Sequence, residues 1–218
     1  MIRSAIVKMK YFLSLMMAWL ISGGILIYAT SKDALHLWFN SHHHPFADLF
    51  FKYVTHLGDG VFGAFIVLLG FIYKLKYGVI GLIGLAGSSL ITQVLKRQVF
   101  NHEHRPSKYF EEMAQLHLVD GVQLHSNFSF PSGHATAAFS IFFLLAIIAK
   151  KPALQSLFFI LVVLVAFSRV YISQHFFEDI YMGSIIGTSV CFLAFAFLKE
   201  KSWGEQGATE WLVSKIKR

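Results

Sequence analysis

From Tyr11 to Thr30 the chain runs without a single charged side chain, and comparable apolar runs follow at residues 57–73, 77–95, 132–149, 153–172 and 177–198. A helix needs about 20 apolar residues to cross the hydrocarbon core of a bilayer, where every backbone N–H and C=O must be satisfied within the segment. Six such runs predict an all-α polytopic membrane protein, a single six-helix domain covering residues 1–218. Composition agrees: only 14% of residues are charged, against about a quarter in soluble domains. The second run is the weakest, because its purely apolar part covers only Val61 to Tyr73.

The connections sharpen this layout. Arg3, Lys8 and Lys10 precede the first run, which is too long for the core of a signal peptide and reads as an uncleaved helix. Residues 31–56 mix Trp38, Phe39, Phe46, Phe50, Phe51 and Tyr53 with polar residues, the composition of a segment lying at the membrane interface. Lys150-Lys151-Pro152 is a tight hairpin between the fourth and fifth spans, and residues 96–131 form one long polar loop. Glycines at 78, 81, 84 and 87, and the pair Gly183-x-x-x-Gly187, permit close helix packing.

Six spans put both termini on one side. Twelve Lys and Arg residues fall on that side and seven on the other. The positive-inside rule therefore predicts cytoplasmic termini in an inner membrane, with all eleven histidines on the outer, periplasmic side. The net charge of +7 is scattered among short loops and tails, which argues against nucleic acid as a partner and for the lipid bilayer. One cysteine, Cys191, excludes an intramolecular disulfide. The sequence carries no signal for an oligomeric state.

Polar clusters stand at the ends of three spans. His175 and Asp179, four residues apart, share a helix face. The carboxylate can take the imidazole Nδ1 proton and leave Nε2 free as a nucleophile. Arg169 adds a planar cationic fork suited to phosphate. Pro131-Ser132-Gly133 opens a helix whose N-terminal N–H groups and dipole favour an anion. There Gly133 lets the backbone approach closely, and Ser132 can cap the helix or donate to phosphate. His134, in the first turn, is placed to protonate a leaving oxygen. Arg105, with Lys96 or Arg97, completes an electropositive pocket able to stabilise a transferring phosphoryl group. Each feature has a plainer reading: a helix start, a structural hydrogen bond, a snorkelling arginine. It is their joint order that carries the signal.

These residues resemble the membrane branch of the type-2 phosphatidic acid phosphatase and haloperoxidase superfamily. Its pattern is Lys-(six residues)-Arg-Pro, then Pro-Ser-Gly-His, then Ser-Arg-(five residues)-His-(three residues)-Asp. The second and third parts match at 131–134 and 168–179. In the first part Arg105-Pro106 is present, but Gln98 stands seven positions before Arg105; Lys96 and Arg97 lie nine and eight before it. The resemblance gives the lysine role to Lys96, with Arg97 as substitute. It implies a lipid phosphate or diphosphate phosphatase needing no metal or cofactor. His175 would become a phosphohistidine, oriented by Asp179. His134 would act as acid and then base, and Lys96, Arg105, Ser132, Gly133 and Arg169 would hold the phosphate. Undecaprenyl diphosphate, phosphatidylglycerol phosphate, phosphatidic acid and lipid A phosphate are the substrates it suggests. A lipid phosphotransferase shares the first half-reaction, and a non-catalytic lipid-binding or transport protein is a third reading. His42-His43-His44 and His102-Glu103-His104 read as solvated loops, and Asp59 as either a helix cap or a residue facing the site.

Overall fold

A computed structural model describes residues 1–201, 203–208 and 210. Of the cationic tail counted above, Lys215, Lys217 and Arg218 lie outside the described residues. Among the described residues the regular structure is all helical, the one isolated bridge, between His104 and Asn127, lying within the long loop of residues 110–132 and its approach. A short helix α1 (Ile2–Lys8) leads into α2 (Lys10–Ala29). The interfacial segment resolves into α3 (Lys32–Ser41) and α4 (Pro45–Val54). Helix α4 has no buried residue and leaves Phe46, Leu49 and Tyr53 exposed, as an interfacial helix should. A 3₁₀ turn, Thr55–Gly58, joins it to α5 (Gly60–Tyr73) through a bend of 50°.

The third span is longer than its apolar run. Helices α6 (Leu75–Leu82) and α7 (Ser88–Val94) are joined by a π-turn, Ile83–Gly87, and a second π-turn, Leu95–Val99, closes a continuous helix of 25 residues. Lys96 and Arg97, expected at the start of the polar loop, are therefore helical. A π-turn takes in an extra residue without breaking the helix, so much of the lengthened spacing before Arg105 is absorbed by helix rather than loop. After the short helix α8 (Pro106–Tyr109) come α9 (Gly133–Ala149), α10 (Pro152–Tyr171) and α11 (Phe177–Leu198).

Among the described residues four helices are long and apolar enough to cross a bilayer alone, and a fifth crossing is reached only if α4 and α5, bent by 50°, are taken as one span. The sixth expected crossing, α9, has only 17 residues. It is the sheathed helix: its residues from Ala135 to Leu144 are all buried, so neighbouring helices rather than lipid set its length. Gly84 lies where a Cβ would come within 2.7 Å of Ser140 Oγ, and Gly187 where one would come within 2.2 Å of Thr136 O. These two contacts bring the third span and α11 close against α9. Lipid supplies no hydrophobic drive for such contacts, so close packing and interhelical hydrogen bonds must do it. Phe12 sits edge-on to Phe143 and Phe159. Trp19 Nε1 donates to Ser184 Oγ at 3.0 Å, and Thr92 Oγ1 to Thr136 Oγ1 at 3.1 Å. The packing places the end of the third span, the starts of α9 and α11 and the end of α10 at one end of the bundle.

Candidate active site

Asp179 organises this end of the molecule. It lies in the first turn of α11 and reaches back to accept from Phe176 N–H at 2.9 Å, an arrangement that helix N-termini favour for an acidic side chain. The same oxygen, Oδ2, accepts from Ser129 Oγ at 2.5 Å and from His175 Nδ1 at 3.1 Å. Asp179 Oδ1 has no partner among the described residues. His175 is 1% exposed. Burial first, then the Arg105, Lys96 and Arg169 cations facing it, push its imidazole well below its ordinary pKa. The ring is therefore neutral, with Nδ1 tied to the carboxylate and Nε2 left over.

The turn presenting His175 is closed by Gln174 N and His175 N, both donating to Arg169 O at 2.9 and 3.0 Å. Ser173 adopts a positive φ of 53°, unfavourable for a residue with a side chain. Helix α3 braces it: Asn40 Nδ2 donates to Ser173 Oγ at 3.3 Å, and His36 Nε2 lies at the same distance.

Around the imidazole stand the cations. Arg169 Nη1 donates to Thr55 Oγ1 at 2.8 Å, while its buried Nε has no partner among the described residues. Arg105 Nε donates to Asn127 O at 3.0 Å and its Nη1 to Gln174 Oε1 at 3.0 Å. Lys96 is 6% exposed and donates to Phe128 O at 2.9 Å. Arg97 is exposed and lines an outer cavity of about 530 Å³ that Lys96 and Arg105 also line. Of the two candidates for the first motif's lysine, Lys96 is thus the one packed among the cations.

Ser132 is fully buried; its Oγ accepts from Ala135 N at 3.4 Å, and its N–H donates to Asp179 O at 3.0 Å. It caps α9 and ties that helix start to α11. A Cβ on Gly133 would meet nothing within 4 Å, so the first turn of α9 is open on that side. His134 lines a second cavity of about 380 Å³ together with Arg169, His125 and Gln174.

The surprise is on α5. Asp59 makes no side-chain cap to its helix; Oδ1 instead lies 2.6 Å from His134 Nε2 and Oδ2 lies 2.8 Å from His56 Nδ1. Of the two sequence readings of Asp59, cap or site-facing residue, the geometry fits the second. Ser129, Thr55 and Gln174 were not singled out in sequence, since nothing in their local pattern separates them from ordinary loop residues. The other histidine clusters lie aside. His43 stacks on His117 at 3.8 Å, His44 caps α4, and His104 Nδ1 lies 3.1 Å from Asn127 Oδ1.

The sequence profile of the PAP2 superfamily matches residues 77–203, more than half of the chain. The chain belongs to the PAP2 superfamily. Two solved structures share its membrane fold. One, the first transmembrane PAP2-type phosphatidylglycerolphosphate phosphatase from Bacillus subtilis, aligns with a TM-score of 0.63 and 25% identity, covering 88% of this chain and 98% of that one. The other, LpxE of Aquifex aeolicus, aligns with a TM-score of 0.66 and 24% identity over 75% of this chain and 93% of its own. No curated protein matches the chain.

Proposed function

We propose that this PAP2 protein is a metal-independent lipid phosphate phosphatase working at the outer face of the cytoplasmic membrane through a phosphohistidine. The observation that carries the reading is the buried, neutral His175, oriented by Asp179 and faced by three cations. His175 Nε2 attacks phosphorus as the bond to the leaving oxygen breaks, and Asp179 stabilises the positive charge that develops on the ring. Arg105, Arg169 and Lys96 offset charge on the equatorial oxygens. Arg169 Nε retains an N–H with no acceptor among the described residues, and the first turn of α9 at Ser132 and Gly133 adds a helix N-terminus. His134 gives its proton to the leaving oxygen. A water then attacks the phosphohistidine, His134 takes the water proton, and inorganic phosphate leaves with His175 restored. Because His134 Nε2 is held by Asp59, Nδ1 is the nitrogen that serves the substrate.

The site opens at the end of membrane-spanning helices, so a lipid can keep its tails in the bilayer while its phosphate enters. The Bacillus subtilis neighbour, a phosphatidylglycerolphosphate phosphatase, favours a phosphomonoester of a glycerophospholipid. The lysine-rich opposite end of the bundle supports cytoplasmic termini.

Phosphate release from a panel of lipid phosphates in detergent, with chelator present, tests this. Release that survives chelator and disappears in His175→Ala is the expected result. Activity that depends on added metal, or that persists in His175→Ala, overturns the mechanism. Phosphate appearing on a second lipid instead of in solution would make the protein a phosphotransferase.

A further inference from the structure

At the end of the bundle remote from His175, five lysines converge on one cavity of about 400 Å³: Lys8, Lys74, Lys76, Lys150 and Lys199. They come from the end of α1, the start of α6 and the ends of α9 and α11. Met9, Ile80, Ile147 and Phe195 supply an apolar lining. The volume falls in the range of about 300–1,000 Å³ common for small-molecule sites.

A cluster of this kind calls for counter-charge. Positive-inside lysines usually splay into water, but two of these are held inward. Lys76 is 4% exposed and the Lys199 side chain 3% exposed. Desolvated ammonium groups need partners, and these two have them, Lys76 donating to Lys201 O at 2.5 Å as well as meeting Glu205. The surplus charge is therefore that of the exposed Lys8 and Lys150 at the cavity mouth. Glu205, the one carboxylate among the described residues that line the cavity, is shared between Lys74 at 2.7 Å and Lys76. Lys199 pairs with Glu200 at 2.6 Å and donates to Ser4. Among the described residues Lys8 and Lys150 have no carboxylate partner. The segment around Glu205 is itself fastened down, with Leu75 N donating to Gln206 O at 2.9 Å and Lys76 N to Gly204 O at 3.0 Å. The wall of the cavity is thus built rather than incidental.

We propose that this cavity binds a phosphate-bearing anion, at a site distinct from the phosphatase centre. The surplus of positive charge matches a phosphate. The apolar lining, between helices at the lysine-rich membrane face, matches the headgroup and first acyl carbons of an anionic phospholipid. Free phosphate shares the headgroup chemistry without the apolar contact, so the two sources can be told apart.

The test is isothermal titration of the full chain in neutral detergent. The probes are dioctanoylphosphatidylglycerol, dioctanoylphosphatidylcholine and inorganic phosphate. Phosphatidylglycerol is a phosphodiester, which hydrolysis of a monoester leaves intact. Any binding at the phosphatase centre is common to wild type and variant, so the difference between them reports the cavity. The variant Lys8→Gln/Lys150→Gln removes the two lysines without a carboxylate. It should weaken phosphatidylglycerol binding roughly 30-fold, at about one ammonium contact's worth per lysine, and leave phosphatidylcholine binding unchanged. A similar loss for inorganic phosphate, with no advantage for phosphatidylglycerol in wild type, would assign the site to a free anion. Equal affinity of wild type and variant for both anions overturns the proposal. Should the double variant not fold, Glu205→Gln removes the competing carboxylate and should tighten anion binding; no tightening overturns it equally.

Discussion

Substituting Asp59 by Asn keeps the volume of the side chain and removes its charge from His134. The contact at stake is short, 2.6 Å from His134 Nε2 to Asp59 Oδ1, and a hydrogen bond to a charged group contributes about 1.5–3 kcal/mol. If that energy is realised when His134 passes its proton to the leaving oxygen, kcat falls about 10- to 150-fold, at 1.36 kcal/mol per decade. The loss should depend on the leaving group. A lipid alkoxide needs a proton, whereas p-nitrophenolate leaves almost unaided, so Asp59→Asn should retain far more activity on p-nitrophenyl phosphate than on a lipid phosphate. A purely structural role for Asp59 would lower both alike. His56, whose side chain is 65% exposed, reaches only the other carboxylate oxygen. His56→Ala should therefore cost less than about fivefold, as exposed ion pairs are worth only about 0–1 kcal/mol. Asp59→Asn activity within about threefold of wild type on the lipid substrate, below the smallest loss a charge-assisted bond implies, would refute the pairing as a catalytic feature.

Other substitutions probe the cations, the packing and the acid response. Lys96→Ala should lower kcat about 10²- to 10³-fold, the usual cost of one transition-state donor, while Arg97→Ala, exposed at the rim, should cost less than tenfold by the same assay. Gly187→Ala would drive a methyl to 2.2 Å from Thr136 O; thermal unfolding should show a loss of about 1–3 kcal/mol. Gly60→Ala, with nothing within 4 Å, should stay within about 0.5 kcal/mol of wild type. Burial lowers the His36 pKa from 6.5 to about 4. Between those values the unfolded imidazole binds a proton that the folded one refuses, so stability falls as pH falls through the window, by up to about 3 kcal/mol. Replacing His36 by Leu should flatten unfolding midpoints measured from pH 7 to pH 4; an unchanged slope would count against it.

Local physics writes the helices, and part of the site, into short stretches of chain. Bilayer thickness forces long apolar runs, so the helices could be placed from residues 11–30 or 177–198 alone. A four-residue spacing puts His175 beside Asp179 on any helix, and a Ser-Gly step before an apolar run starts one at Gly133. Whatever depends on the phase and crossing of those helices comes from long-range packing. Asp59 meets His134 across 75 positions of chain only because α5 packs beside the start of α9, and no local signal distinguishes that carboxylate from a helix cap. A π-turn, invisible in the apolar pattern, carries Lys96 inward and leaves Arg97 at the rim. The lysines of the remote cavity read in sequence as a scattered positive-inside bias. Their convergence required four helix ends to meet, and long-range packing of that kind is not encoded in any single segment.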